Sequence, residues 1–286
     1  MCRFLAYTGR PIIMDELLYQ PDHSLINQSY NAIEMEEPLN GDGFGVGWYE
    51  KELSENPALF TSVSPAWNNR NLQNLAPRIK SSCIFAHVRA ASVGDVTQNN
   101  CHPFNYRNIL MMHNGGIDQF KEIKRPLLDR LSEKRFHSIK GETDSEHLFA
   151  LFLDHLFEQS ENPELNEFCN AFFETFSDLE KLKNRYGLKG TSKLNILITN
   201  GKEMIGSRYV SGSDETPLTL HHSEGKKYQC KDGYCHMQET DKPHEKAILL
   251  VSEKLTDHDE DWSMVPANHL VTVDSDLNVE FAPISF

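Results

Sequence analysis

What most constrains this 286-residue chain is the order of its periodicities, with β-type runs at both ends and two long helical patterns between them. Short segments rich in aromatic and branched residues read as strands: CRFLAYT (2–8), FGVGWYE (44–50), ALFTSV (58–63), CIFAHVRA (83–90) and ILMMH (109–113). Later come LNILIT (194–199), EMIGSRYV (203–210), AILLVS (247–252) and HLVTVD (269–274). Asn200-Gly201 between two of these is a strong hairpin signal. The first helical pattern begins at Thr143, which stands at capping-box spacing from Glu146, and carries Leu148, Phe149, Phe152 and Leu156 on one stripe. The second runs from about residue 163 to 186, with Phe168, Phe172, Phe176 and Leu179 aligned. Strands, then helices, then strands predict antiparallel sheets packed with helices, an α+β fold and not a doubly wound parallel sheet. No internal repeat and no Pro-, Gly- or Ser-rich linker divides the chain. One domain over 2–286 is therefore expected, with core motifs in 2–150 and closing strands in 194–286.

A hydrophobic content of 39% supports a packed core, and the formal charge of -14 opposes nucleic acid or an anionic membrane as general partners. The basic stretch 121–140 and the acidic run DHDED (257–261) read as solvated surface. No signal peptide or membrane-length apolar run is visible, which points to a cytoplasmic protein. Six cysteines, at 2, 83, 101, 169, 230 and 235, are too scattered for a disulfide scaffold, so free thiols in a reducing compartment are expected.

Five stretches carry chemistry. Cys2 would become the first residue if Met1 were removed, and would then hold a thiol beside a primary α-amine. With a reference pKa of about 7.7–8.0, that amine is partly neutral near pH 7 and can accept the thiol proton. Along CIFAHVRAAS (83–92), Cys83, Phe85, His87 and Arg89 share one strand face, which ends in a guanidinium able to grip a carboxylate with two parallel hydrogen bonds. In NILMMHNGGIDQF (108–120), the Asn114 amide beside Gly115 makes a two-donor pocket suited to an oxyanion, and equally an ordinary tight turn. Asp144 in GETDSEHLF (141–149) lies in the first turn of a capped helix, where the dipole stabilises its carboxylate and a ligand ammonium could be held. Finally, NGDGFGVGWYE (40–50) strips one strand face at Gly43, Gly45 and Gly47, with close backbone approach beside a small-molecule pocket as the expected reason.

Taken together, Cys2, the HVR strand, the HNG turn and the TDSE helix start resemble the glutaminase domain of class II glutamine amidotransferases, which are N-terminal-nucleophile (Ntn) hydrolases. DGFGVGWY, HVRAAS, the HPF of 102–104 and VSEKLTDHDEDW are similar to the stand-alone subgroup. That subgroup includes the ergothioneine-pathway γ-glutamyl hydrolase and the amidase subunit of the glutathione-degrading complex. Lys254 stands where its pattern carries proline. The resemblance implies a four-layer αββα sandwich of two antiparallel sheets. It also implies hydrolysis of a γ-glutamyl amide through a Cys2 thioester, with no cofactor and no metal. Cys2 would be nucleophile, with its own amine as base. Asn114 and Gly115 would form the oxyanion hole, Arg89 would hold the substrate α-carboxylate and Asp144 its α-ammonium. Gly43 would line the substrate site, and His87 and His113 would orient their neighbours. A small γ-glutamyl compound is the expected substrate, with a partner synthase subunit as recipient of ammonia in the alternative version.

Three other readings stay open. His221, His222, Cys230, Cys235 and His236 could bind zinc, although Cys230-x4-Cys235 is wider than the usual pair and a hairpin around 231–233 explains it. Cys83 or Cys101 could be the nucleophile instead. A retained Met1 would leave a catalytically silent scaffold. Contacts to the leaving group are expected from loops 51–80 and 211–246, with Ser207-Arg208-Tyr209 a candidate.

Overall fold

A computed structural model describes residues 2–35, 38–212, 215–231, 234–239 and 246–285. Its strands are β1 (Arg3–Ile13), β2 (Phe44–Trp48), β3 (Ala58–Ser62), β4 (Lys80–Val88), β5 (Phe104–Tyr106), β6 (Ile109–Gly116), β7 (Lys193–Thr199) and β8 (Met204–Val210). They continue with β9 (His221–Gly225), β10 (Lys227–Lys231), β11 (Tyr234–Gln238), β12 (Ala247–Val251), β13 (Ser263–Met264), β14 (His269–Val273) and β15 (Val279–Pro283). The helices are α1 (Asp15–Leu18), α2 (Leu25–Asn31), α3 (Arg70–Leu75), α4 (Phe120–Leu128), α5 (Glu133–Phe136), α6 (Asp144–Gln159) and α7 (Leu165–Arg185).

Two sheets result, in the orders β13-β9-β12-β1-β4-β2-β3 and β15-β14-β8-β7-β6-β5, with β10-β11 a separate hairpin. All the described pairings are antiparallel. Because both faces of each sheet are covered, the central strands are apolar on both sides, and alternation sorts their residues between cores. Ile84, Ala86 and Val88 join Leu5, Tyr7, Leu249 and residues of α1–α3 in the outer core of the first sheet. Phe85 and Cys83 turn the other way and meet Phe4, Ala6, Leu110, Met112, Leu197 and Leu250 between the sheets. The stripe on α6 (Leu148, Phe149, Phe152, Leu156) and that on α7 (Phe168, Phe172, Phe176, Leu179) fill the outer core of the second sheet. Helices, sheet, sheet, helices: this is the four-layer αββα sandwich.

Local chemistry sets the element ends. Thr143 accepts from Glu146 N–H at 3.2 Å and starts α6. The expected capping box is only half made, since the Glu146 carboxylate reaches back to the N–H groups of Lys140 and Gly141 at 2.8 and 2.6 Å. Burial pushes that carboxyl up despite these bonds. The reciprocal box belongs instead to Glu164 and Glu167 at the head of α7. The β7–β8 turn runs through Asn200-Gly201, with Gly201 at φ +82° and the Asn200 side chain accepting from Lys202 and Glu203 N–H.

The cysteine expectation is corrected at one place. Cys230 and Cys235 stand directly opposite across the β10–β11 hairpin, Cα atoms 4.0 Å apart, and form a disulfide. The zinc reading thereby loses both sulfurs, and His221 is taken up by Glu34 at 2.9 Å. The hairpin around 231–233 is observed in its strands, while Asp232 and Gly233 lie outside the described residues.

Candidate active site

The layer between the sheets is apolar over most of its length and turns polar at one end. Two residues beyond the last apolar side chain on each strand, alternation delivers a functional group to the same gap. Phe4 leads to Cys2, Phe85 to His87 and then Arg89, Met112 to Asn114, Leu197 to Asn195 and Leu250 to Ser252. The β1–β4 register pairs Phe4 with His87 and Arg3 with Val88, so Cys2 lies alongside Arg89.

Cys2 is half-buried. Its Sγ donates to Ala90 O at 3.5 Å and accepts from Ala90 N–H at 3.4 Å. Burial raises the thiol pKa, the Ala90 contact and the Arg89 guanidinium pull it down, and the Asp144 carboxylate pushes it up. The sulfur thus feels both a fixed cation and a fixed anion, and it needs a base to lose its proton. Met1, whose removal would free that base, lies outside the described residues.

Arg89 is only 3% exposed. Its Nη1 donates to Asp95 O and its Nη2 to Val93 O, both at 3.0 Å, so the guanidinium organises the turn at 93–95 as well as facing Cys2. Asp144 opens α6 and accepts from Ile117 N–H at 2.7 Å and Ser145 N–H at 2.9 Å, which ties the helix start to the end of β6. Asn114 is fully buried. Its Nδ2 makes a long 3.4 Å bond to Ser252 Oγ, which also accepts from Phe4 N–H, and its Oδ1 has no partner among the described residues.

Gly115 adopts φ +140°, and a Cβ there would collide with Lys193 O and crowd His113 Nε2. Gly115→Ala is therefore expected to destabilise the fold by more than about 2 kcal/mol and to displace the HNG backbone. Urea unfolding compared with the parent chain checks it, and an unchanged midpoint would refute the strain argument.

Three buried histidines stack behind these groups. His87 Nε2 lies 3.2 Å from His113 O and 2.8 Å from His102 Nδ1, and His113 Nδ1 lies 2.8 Å from Ser145 Oγ. Burial drives the His87 pKa down to about 3 and lowers those of His102 and His113 as well. Burial thus favours the neutral imidazole at all three, which suits an orienting role.

With the geometry in place, the comparisons decide the family. The family model for class II glutamine amidotransferases matches residues 24–282. The chain belongs to that family. The probable glutamine amidotransferase DUG3 of Saccharomyces cerevisiae is 40% identical over 96% of this chain and 82% of that protein. The gamma-glutamyl-hercynylcysteine sulfoxide hydrolase of Mycolicibacterium smegmatis is 25% identical over 99% of this chain and the whole of that one. A glutamine aminotransferase class-II domain protein from Silicibacter pomeroyi shares the fold, with a TM-score of 0.67 at 21% identity over 99% and 100% of the two chains.

Within this class II amidotransferase, four of the seven residues singled out from the sequence (Cys2, Arg89, Asn114, Asp144) converge on one gap, with Gly115 beside them and His87 behind. Gly43 flanks Arg89, its carbonyl accepting from Arg89 N–H at 2.8 Å. A Cβ on it would meet Cys101 Sγ at 2.7 Å, and Gly45 and Gly47 face His102, Pro103 and Leu110. The close neighbours of the glycine ladder are thus the 101–103 segment and Leu110. The Ser207-Arg208-Tyr209 expectation is corrected: the tripeptide lies buried in β8, with Arg208 spent on Leu218 O and Val265 O at 2.9 Å each. Cys83 is core, its thiol pushed up to about 12 by burial. Sequence reasoning missed Ser252, Asn195, Ser145 and the pair Arg3–Glu253. Ser145 lies in the TDSE stretch and Ser252-Glu253 in the VSEKLTDHDEDW stretch, but nothing in either motif assigns them a role. A separate cavity of about 790 Å³ lies at the other end of β6, lined by Tyr49, Arg107, Asn108 and Glu203 among others.

Proposed function

We propose that this chain, as one domain over 2–286, hydrolyses a γ-glutamyl amide, with Cys2 as nucleophile once Met1 is removed. The observation that carries the reading is the convergence of the Cys2 sulfur, the Arg89 cation and the Asp144 anion at the polar end of the inter-sheet layer. A γ-glutamyl head group carries one carboxylate and one ammonium beside its scissile amide, the complement of that set. The freed α-amine takes the thiol proton as sulfur attacks the amide carbon, and the tetrahedral oxyanion is received by Asn114 Nδ2 and the Gly115 N–H. The C–N bond then breaks, the proton passes to the departing nitrogen, and the thioester remains. Water attacks it, the amine again takes a proton, and glutamate leaves with the thiol restored. No step calls for a metal or cofactor.

The names of the relatives bear on the leaving group, since one is a γ-glutamyl hydrolase and another an amidotransferase. We take the free-standing hydrolase as the main reading and ammonia delivery to a partner subunit as the second. Four free cysteines support a cytoplasmic location, and the Cys230–Cys235 disulfide speaks against it. Incubation of the pure chain with L-glutamine and with a γ-glutamyl peptide, with glutamate measured, separates the two. Faster turnover of the peptide is expected. A glutamine-mimicking electrophile is expected to label Cys2, and an intact mass is expected to show Met1 gone. A retained Met1, or an unlabelled Cys2 in a chain that cleaves neither substrate, would overturn the reading.

A further inference from the structure

The residue after the candidate nucleophile carries a charge that the reaction above does not use. Arg3 is 2% exposed, and its Nε lies 3.3 Å from Oε2 of Glu253, itself 3% exposed. Arg3 Nη2 donates to Glu34 O at 3.0 Å. The Glu253 carboxylate accepts from Ile33 N–H at 2.8 Å and Glu34 N–H at 3.1 Å. The Glu34 carboxylate in turn meets His221 Nε2 at 2.9 Å on β9. Removing two charges from water costs several kcal/mol per ion, and a surface Arg at position 3 would avoid it. The pair therefore calls for a reason beyond stability.

We propose that Arg3 and Glu253 are positioning residues for Cys2, a buried strut that locks the first strand residue to the end of β12 and to the segment at 33–34. This rests on the proposed role of Cys2. A nucleophile next to a strand end needs that end held, since chain ends fray unless tied down. Ser252 fixes Phe4 through its Oγ and its own N–H, and Glu253, the next residue, fixes Arg3. Successive residues of one strand end thus clamp successive residues behind the nucleophile.

The strut also sets the field at the α-amine. Among the described residues, the charged and titratable groups around Cys2 are Arg89 just past β4, Asp144 from α6, Cys101 from the segment before β5, and Arg3 on its own strand. Facing Arg3 stand Glu253 and Glu34, with His221 behind Glu34. The Glu253 carboxylate compensates the guanidinium one residue from the amine. With the neutral amide of Glu253→Gln in its place, the guanidinium acts uncompensated and disfavours the ammonium form.

The test compares full-length parent, Glu253→Gln and Glu253→Asp, each confirmed by mass to have lost Met1, on L-glutamine and γ-glutamyl-p-nitroanilide. In Glu253→Gln, kcat is expected to fall on the order of 10- to 100-fold with KM changed less than about 3-fold, because Arg89 and Asp144 are untouched. The acidic limb of kcat/KM, which reports the amine, is expected to move about half a pH unit or more toward lower pH. Glu253→Asp keeps the charge and should return the limb to its parental position. Partial unfolding lowers amplitude but leaves the limb in place, so the two effects are separable. Parental kcat and limb in Glu253→Gln, or a loss confined to KM, would overturn the strut. Failure of the parent itself on both substrates, with Cys2 unlabelled, would overturn the catalytic reading and the strut with it.

Discussion

Replacement of Cys2 by alanine is expected to lower γ-glutamyl hydrolysis on the order of 10⁵-fold or more, the scale on which a covalent route is lost with its nucleophile. The same change should leave urea unfolding within about 1 kcal/mol of the parent. The reason is local: the Cys2 side chain is half-buried and, among the described residues, makes two long sulfur contacts, both to Ala90. Asn114→Ala is expected to behave differently, with kcat lower by about 10²–10³ and little change in KM, because its amide would bond the substrate oxygen fully only as charge develops on it. Glutamate release and denaturant curves on the two variants check both. Equal losses in kcat for the two would mean that the sulfur is not the attacking atom. A Cys2→Ala chain that stays active would mean the same.

Acid should loosen this fold well above the pH at which carboxylates protonate. The cause is the buried histidine cluster. The folded-state pKa of His87 is about 3, against an ordinary value of 6.5. Between these values the unfolded chain binds a proton that the folded chain refuses, so stability that is complete above about pH 6.5 is lost progressively as pH falls toward 3. The loss is about 1.4 kcal/mol per pH unit, or about 2 kcal/mol from His87 alone at pH 5. His102 and His113 are shifted the same way by burial and add to it. Urea midpoints at pH 7, 6 and 5 should fall steadily, and His87→Gln, which takes up no proton, should flatten the curve. A parent whose midpoint is level down to pH 5 would refute the neutral cluster.

Much of the architecture was legible because strand and helix periodicities are local. All nine strand segments read from the sequence are strands, and both helices begin within about two residues of the expected place. What sequence alone left out are short elements with too few residues to show a period, such as the three-residue β5 and the two-residue β13. The glycine ladder shows the limit. A bare strand face at 43, 45 and 47 is visible in the letters, but whether a ligand or another chain segment covers it depends on the facing sheet. Cys230 and Cys235 are similar: a five-residue separation says little, and the hairpin register decided the bond. Arg3 and Glu253, 250 positions apart in sequence, gave no signal of each other.

By itself, then, the chain's order of residues determined the layers and the inventory of reactive groups, because alternation and helical stripes depend on neighbours within a few positions. It also supplied a set of motifs specific enough to name the family. Only the tertiary structure decided that Cys2, Arg89, Asn114 and Asp144 share one gap, that the 101–103 segment packs against the glycine ladder, and that Glu253 stands behind the nucleophile. Those are facts of register between two stacked sheets, which nothing short-range in the chain can specify.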